Sequence, residues 1–152
     1  MCLYLKFNAE EALRWYRKAA RGGNGYAQIE LAEAYENGLL GLKMNLGIAL
    51  MWYRKAAEGG DKDAQSRLGD AHWRGQLGLE IDLVAALTCF QNAAKGGNHY
   101  AQWRLGDACE FGDLTLATDL EEAFKWYRMA ADGGHAGAQR RLGRHAELKT
   151  WG

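Results

Sequence analysis

The chain has 152 residues, 48% of them apolar and 25% charged, and contains no proline. That balance excludes a disordered polar chain and fits an ordered, largely helical protein. Nineteen Lys and Arg offset nineteen Asp and Glu, so no net field draws the chain to nucleic acid or to an anionic membrane.

The first apolar stretch with helical spacing is EEALRWYRKAA, residues 10–20, preceded by Asn8 and closed by Gly22-Gly23. Its counterparts are IALMWYRKAA after Asn45, VAALTCFQNAA after Asp82 and EEAFKWYRMAA after Asp119. Asn and Asp are good N-cap residues, and Asn8 with Glu11 and Asp119 with Glu122 resemble capping boxes. The Gly-Gly pairs recur every 37 residues, at 22, 59, 96 and 133. They supply, at no steric cost, the left-handed residue that ends a helix. These stretches are termed helix B. A second amphipathic stretch, helix A, follows each pair: AQIELAEAYENG, AQSRLGDAHWRG, AQWRLGDACEFG and AQRRLGRHAELK. Self-similarity at this period predicts a stacked array of helix pairs, about eight helices in all.

Ala32, Gly69, Gly106 and Gly143 share one helix-A position, and Ala12, Ala49, Ala86 and Ala123 share one in helix B. Small residues there predict close approach of neighbouring helices. Trp15-Tyr16, Trp52-Tyr53, Cys89-Phe90 and Trp126-Tyr127 are expected to fill the core between units. Aligned by the period, Met1 to Phe7 falls on Gly38 to Met44. The chain is therefore expected to open inside an inter-unit loop, with a helix B as its first full element, and to close just after a helix A. That first helix is expected to show an apolar edge at Leu13 and Trp15, covered by Leu3, Tyr4 and Phe7 or by another subunit.

The three cysteines, Cys2, Cys89 and Cys109, are odd in number and lack CxxC spacing. They argue for reduced thiols rather than a disulfide framework or a zinc cluster. The start, MCLYLKFNAEEAL, lacks the basic n-region, long apolar core and cleavage site of a signal peptide. No stretch approaches the roughly eighteen apolar residues of a membrane span. The expected location is the cytoplasm.

The pattern of AQSRLGDAHWRG, a Gly-rich loop, Asp82 and then Ala-Ala-x-Gly-Gly resembles the SEL-one-like repeat (SLR), a relative of the tetratricopeptide repeat, over essentially the whole chain. The resemblance implies an all-α, right-handed α-solenoid of four antiparallel helix pairs, a single SLR domain over 1–152 with a concave face lined by helices A. Members of the family are mostly adaptors and scaffolds and are common in bacteria. Loops such as GLLGLKMN make the unit a residue longer than the family pattern. The regularly spaced cysteine pair of the secreted branch, for which penicillin-related activities are proposed, is missing.

Docked as in tetratricopeptide units, helix A would line the groove with Ile29, Glu33, Glu36 and Asn37; Ser66, Asp70, Trp73 and Arg74; Trp103, Asp107, Glu110 and Phe111; and Arg140, Arg144 and Glu147. Glu33, Asp70 and Asp107 would stack into an acidic stripe, broken by Arg144, with Trp73, Trp103 and Phe111 beside it. Carboxylates with exposed tryptophans suit a peptide partner carrying basic residues and apolar anchors. The competing account pairs these acids with Arg17, Arg54 and Arg128 of helix B as framework salt bridges. The expected binding set is Glu33, Glu36, Asp70, Trp73, Arg74, Trp103, Asp107, Glu110 and Phe111.

No catalytic residue, cofactor or metal is expected. His72 falls at a core position shared with Tyr35 and Cys109, while His99 and His135 lie in turns that open helix A. No HExxH is present. Ser66 lacks an SxxK or GxSxG context, and Cys89 occupies a core aromatic slot. GLLGLK has no preceding strand and no GK[ST]. The expected function is a protein-interaction scaffold that binds an extended or helical peptide on the concave face. Two alternatives remain: a structural or homo-oligomer-forming segment docking through its N-terminal helix, and a hydrolase-like activity by analogy with the secreted members.

Overall fold

The computed structural model describes residues 2–150, with side chains described over 8–144 and at Ala146. The described residues form α1 (Cys2–Arg21), α2 (Gly25–Asn37), α3 (Leu46–Glu58), α4 (Lys62–Arg74), α5 (Leu83–Lys95), α6 (His99–Phe111), α7 (Leu120–Asp132) and α8 (Ala136–Thr150). Odd-numbered helices are the helix B stretches and even-numbered ones helix A. Each helix packs on its neighbours in sequence, most extensively α2 on α3, α4 on α5 and α6 on α7. The structural unit thus begins at helix A, and three A–B hairpins stack between α1 and α8 in an all-α solenoid. No described helix is long and apolar enough to cross a membrane.

The repeated letters correspond to repeated hydrogen bonds. Gln28, Gln65, Gln102 and Gln139 each donate a side-chain N–H, at 3.1 to 3.3 Å, to the carbonyls of Ala20, Ala57, Ala94 and Ala131. This clamps the start of each helix A to the end of the helix B before it, and it satisfies the amides of the buried Gln28 and Gln102. Helix A is capped by Asn24, Asp61, Asn98 and His135, which accept from Ala27, Ala64, Ala101 and Ala138. Asn45, Asp82 and Asp119 cap helix B, accepting from Ile48, Ala85 and Glu122. Their own N–H groups donate to Tyr35, His72 and Cys109 of the preceding helix A. The reciprocal half of the capping box is therefore occupied, and Glu122 pairs with Lys125 at 3.0 Å instead.

The first unit departs from expectation. Where a loop and an N-cap at Asn8 were expected, α1 runs unbroken from Cys2. The sister loop turns on Gly38 and Gly41 at φ 66° and 76°. The residue matching Gly41 is Tyr4, which has no ease in the left-handed region, so the helix is not interrupted there. Leu13 is not at an open edge but buried with Ala20, Ala27 and Leu31. Trp15 is 59% exposed rather than core filler, with the Lys18 ammonium 5.3 Å from its ring centre. The side chains of Leu3, Tyr4 and Phe7, expected over this edge, lie outside the described residues.

Elsewhere the core forms as the small-residue pattern predicts. Tyr53, Phe90 and Tyr127 are buried against the helix A before them. A Cβ added at Gly69 would come within 2.8 Å of the Phe90 ring, and one at Gly106 within 2.6 Å of Tyr127. Ala32 takes the same place in the cluster around Tyr53. Cys89 and the buried Cys109 are free thiols, and burial pushes both upward in pKa. Each Gly-Gly pair turns on its second glycine, at φ 81° to 89°.

The inter-unit loops place leucine in an unfavourable conformation. Leu40, Leu77 and Leu114 have φ of 54°, 57° and 51°. A left-handed leucine costs about 1–2 kcal/mol, whereas burying one contributes about 1.5–3 kcal/mol. Burial wins, because Leu77 and Leu114 are 4% and 0% exposed.

Candidate functional site

Helices α2, α4, α6 and α8 form the face on which the repeat pattern breaks down. Arginines on this face reach back from one helix A to the previous one. Arg67 of α4 pairs with Glu36 of α2, which also accepts the Tyr53 hydroxyl at 2.9 Å. Arg141 of α8 lies 3.6 Å from Glu110 and 3.7 Å from Asp107 of α6, and both carboxylates accept the Tyr127 hydroxyl. In the middle unit the acid and the hydroxyl are both missing, with Trp73 and Phe90 in their places. Arg104, only 7% exposed, instead lies 3.8 Å from the centre of the Trp73 ring. Its Nε and Nη2 are buried without a hydrogen bond, and the Asp113 carboxylate is 4.0 Å from Nη2. A planar, weakly hydrated guanidinium tolerates such an aromatic setting better than an ammonium does.

Of the carboxylates expected as an open stripe, Asp70 and Asp107 are engaged within the fold. Asp70 accepts the Tyr100 hydroxyl at 2.9 Å. Burial and this carboxylate push the Tyr100 phenol up to about 12. Burial together with Glu36 raises Tyr53, and burial with Glu110 and Asp107 raises Tyr127, so these hydroxyls remain donors. The partners of the acids are tyrosines, Arg67 and Arg141, not Arg17, Arg54 or Arg128. Glu33 is exposed; burial of part of its carboxyl, then the Glu30 and Glu36 charges, hold it above the usual carboxylate range. Arg74 is exposed, with its guanidinium 4.8 Å from the Trp73 ring centre.

The two tryptophans expected at the surface are half-buried. Trp73 packs on the cluster around Phe90, and Trp103 on the cluster around Tyr127. Trp103 stacks on His135 at 5.0 Å and tilts against Tyr100 at 5.7 Å, and its indole Nε1 is buried without a partner. Phe111 is 59% exposed, with Arg141 4.9 Å from its ring centre. Ser66, the counterpart of Ile29 and Trp103, is buried and lines nothing.

One feature of this face was missed by the expected binding set. The position occupied by Tyr26, Asp63 and Tyr100 in the first three helices A is Gly137 in α8. Tyr100 reaches over Asp70, but with no side chain at 137 a recess of roughly 240 Å³ stays open, lined by Trp103, Gly137, Arg140, Arg141 and Arg144. Arg140 and Arg144 are exposed and have no partner among the described residues. The signal was present in the sequence: a glycine where the sister units carry Tyr26, Asp63 and Tyr100, beside a run of arginines. No group of three or more His, Cys, Asp or Glu converges among the described residues in a way that could hold a metal ion.

The model of the Sel1 repeat matches residues 4–24, 25–61, 62–98 and 99–135. The chain belongs to the Sel1 repeat family. The segments from 25, 62 and 99 each begin at a helix A, the same phase as the packing, while the first lies on α1. Comparison with curated proteins gives no match. Among solved structures, the chain is similar to a Sel1 repeat protein from Oxalobacter formigenes, with 36% identity over 87% of this chain and 97% of that one and a TM-score of 0.81. It is similar also to c5321, a protective antigen of uropathogenic Escherichia coli strains displaying an SLR fold. There the identity is 37% over 86% of this chain but 27% of that one, with a TM-score of 0.75. Helicobacter pylori cysteine rich protein B shares the fold at 20% identity, 88% and 93% coverage and a TM-score of 0.66. Sel1 repeats are typically protein-interaction scaffolds.

Proposed function

We propose that this Sel1 repeat chain is a protein-interaction scaffold that holds an extended or helical peptide along the face lined by α2, α4, α6 and α8. Recognition is by contact alone, with no bond made or broken. The observation that supports this reading is the division between positions. The residues that clamp and pack the helices repeat, whereas Trp73, Trp103, Phe111 and Gly137 on this face do not. A preformed groove loses little order on binding, so modest contacts from successive units add to a useful affinity. Half-buried indoles flanked by exposed Phe111 and Arg74 give aromatic area for anchoring, and the charged side chains around them set the choice of partner. Two free thiols fit a reducing compartment, and the cytoplasm is the proposed location.

Panning a random-peptide display library against the immobilised protein tests the reading. Enriched sequences are expected, and they are expected to lose binding to a Phe111→Ser, Arg74→Ser double variant whose helical circular dichroism is unchanged. Sequences that bind the variant as well as the parent would contradict it.

A further inference from the structure

We infer that the recess between α6 and α8 receives an acidic side chain of the bound peptide, so that the partner of this face is an acidic segment with an apolar anchor rather than a basic one. The inference rests on the peptide-binding reading above and assigns the ligand its charge.

The carboxylates Glu36, Asp70, Asp107 and Glu110 already accept tyrosine hydroxyls, and three of them also face an arginine. A lysine or arginine arriving from a partner would have to displace those bonds. Among the described residues, Arg140 and Arg144 have no ion pair or hydrogen bond to displace. They stand four residues apart on α8, hence one above the other on one side of the helix, and both border the recess. Arg141, held by Asp107 and Glu110, forms its back wall. Trp103 and Gly137 complete the lining, and Gly137 lies against the buried edge of the indole, where an added Cβ would be 3.2 Å from Nε1. Two guanidinium forks beside an indole match a carboxylate in geometry and charge, and the indole accepts the aliphatic part of a Glu or a neighbouring apolar residue. At the opposite end of the face, α2 carries Glu30, Glu33 and Glu36, so the field along the groove steers an acidic segment toward α8. A protein partner fits better than a nucleic acid, because the chain as a whole has zero net charge and the cations free at the recess are few.

The charge of the pool enriched from a random nonapeptide display library reads this out. The parent protein is expected to enrich Glu- and Asp-rich peptides containing an apolar residue. Their affinity is expected to fall about tenfold in an Arg140→Glu, Arg144→Glu variant. An Arg54→Glu, Arg128→Glu variant, with the same change in net charge on exposed helix-B positions, should bind as the parent does. Enrichment of basic or neutral peptides, or acidic peptides indifferent to Arg140→Glu, Arg144→Glu, would overturn the inference while leaving the scaffold reading intact. No enrichment at all would overturn both. Displacement of the acidic peptides by a single-stranded phosphodiester oligomer at lower concentration than by free acidic peptide would assign the recess to nucleic acid and overturn the inference.

Discussion

Two residues depart from the pattern of their sister units in ways that carry a measurable energy. Thr115 sits at φ 66° where the other loops have Gly41 and Gly78. A β-branched side chain in the left-handed region is strained and, being exposed here, gains no burial in return. Thr115→Gly is expected to raise unfolding free energy by about 0.5–1 kcal/mol, the strain relieved less the entropy cost of glycine. Urea denaturation checks this, and a loss of stability would contradict it. His135 replaces the Asn24, Asp61 and Asn98 caps. Its Nδ1 accepts the Ala138 N–H at 3.3 Å, so the ring must be unprotonated at that atom. Burial lowers its pKa below the ordinary 6.5, with His99 and Arg140 adding to the effect and Asp107 opposing it. A depressed folded pKa means that the stabilisation is complete above the unfolded value and is lost as pH falls through the folded one. The melting temperature is therefore expected to drop more steeply from pH 7.5 to 5 in the parent than in His135→Asn, which keeps a cap that does not titrate. Parallel curves would contradict the assignment.

At the scale of the helix, one position shows how the same letter acquires different roles. Gly106 lies under the Tyr127 ring, but Gly143, its counterpart in α8, has nothing within 4 Å of an added Cβ. Gly106→Ala is expected to destabilise by about 1–3 kcal/mol through overpacking. Gly143→Ala should stabilise by up to about 1 kcal/mol through helix propensity. Thermal unfolding of the two variants checks the contrast, and equal shifts would refute it. The helices, caps and small-residue contacts were legible in the sequence because each depends on residues within one period. Less legible were features set by side-chain contacts from one helix to another. Tyr127 meets Glu110 seventeen residues away and Tyr100 meets Asp70 thirty away, so the acids looked free when they are bonded. Trp73 looked like a surface anchor, but its half-burial depends on Arg104, thirty-one residues on. The extension of α1 was hidden because the period suggested a loop whose turning glycines the first unit lacks.

For the whole molecule, contacts run almost entirely between sequential helices. Each unit is supported by its neighbours, and the helix-A face is free to vary without loss of the framework. That freedom admits a glycine at 137 and two arginines without a partner among the described residues, and it places the distinctive chemistry at the α6 and α8 end. The most direct measurement is an amide and indole N–H chemical-shift titration of the protein with an enriched acidic peptide. The account predicts that the Trp103 indole and the amides of Gly137, Arg140 and Arg144 shift together along one saturating curve, while Met51, Arg54 and Arg128 stay still. Shifts confined to the helix-B surface, or a silent Trp103 indole at saturation, would contradict it.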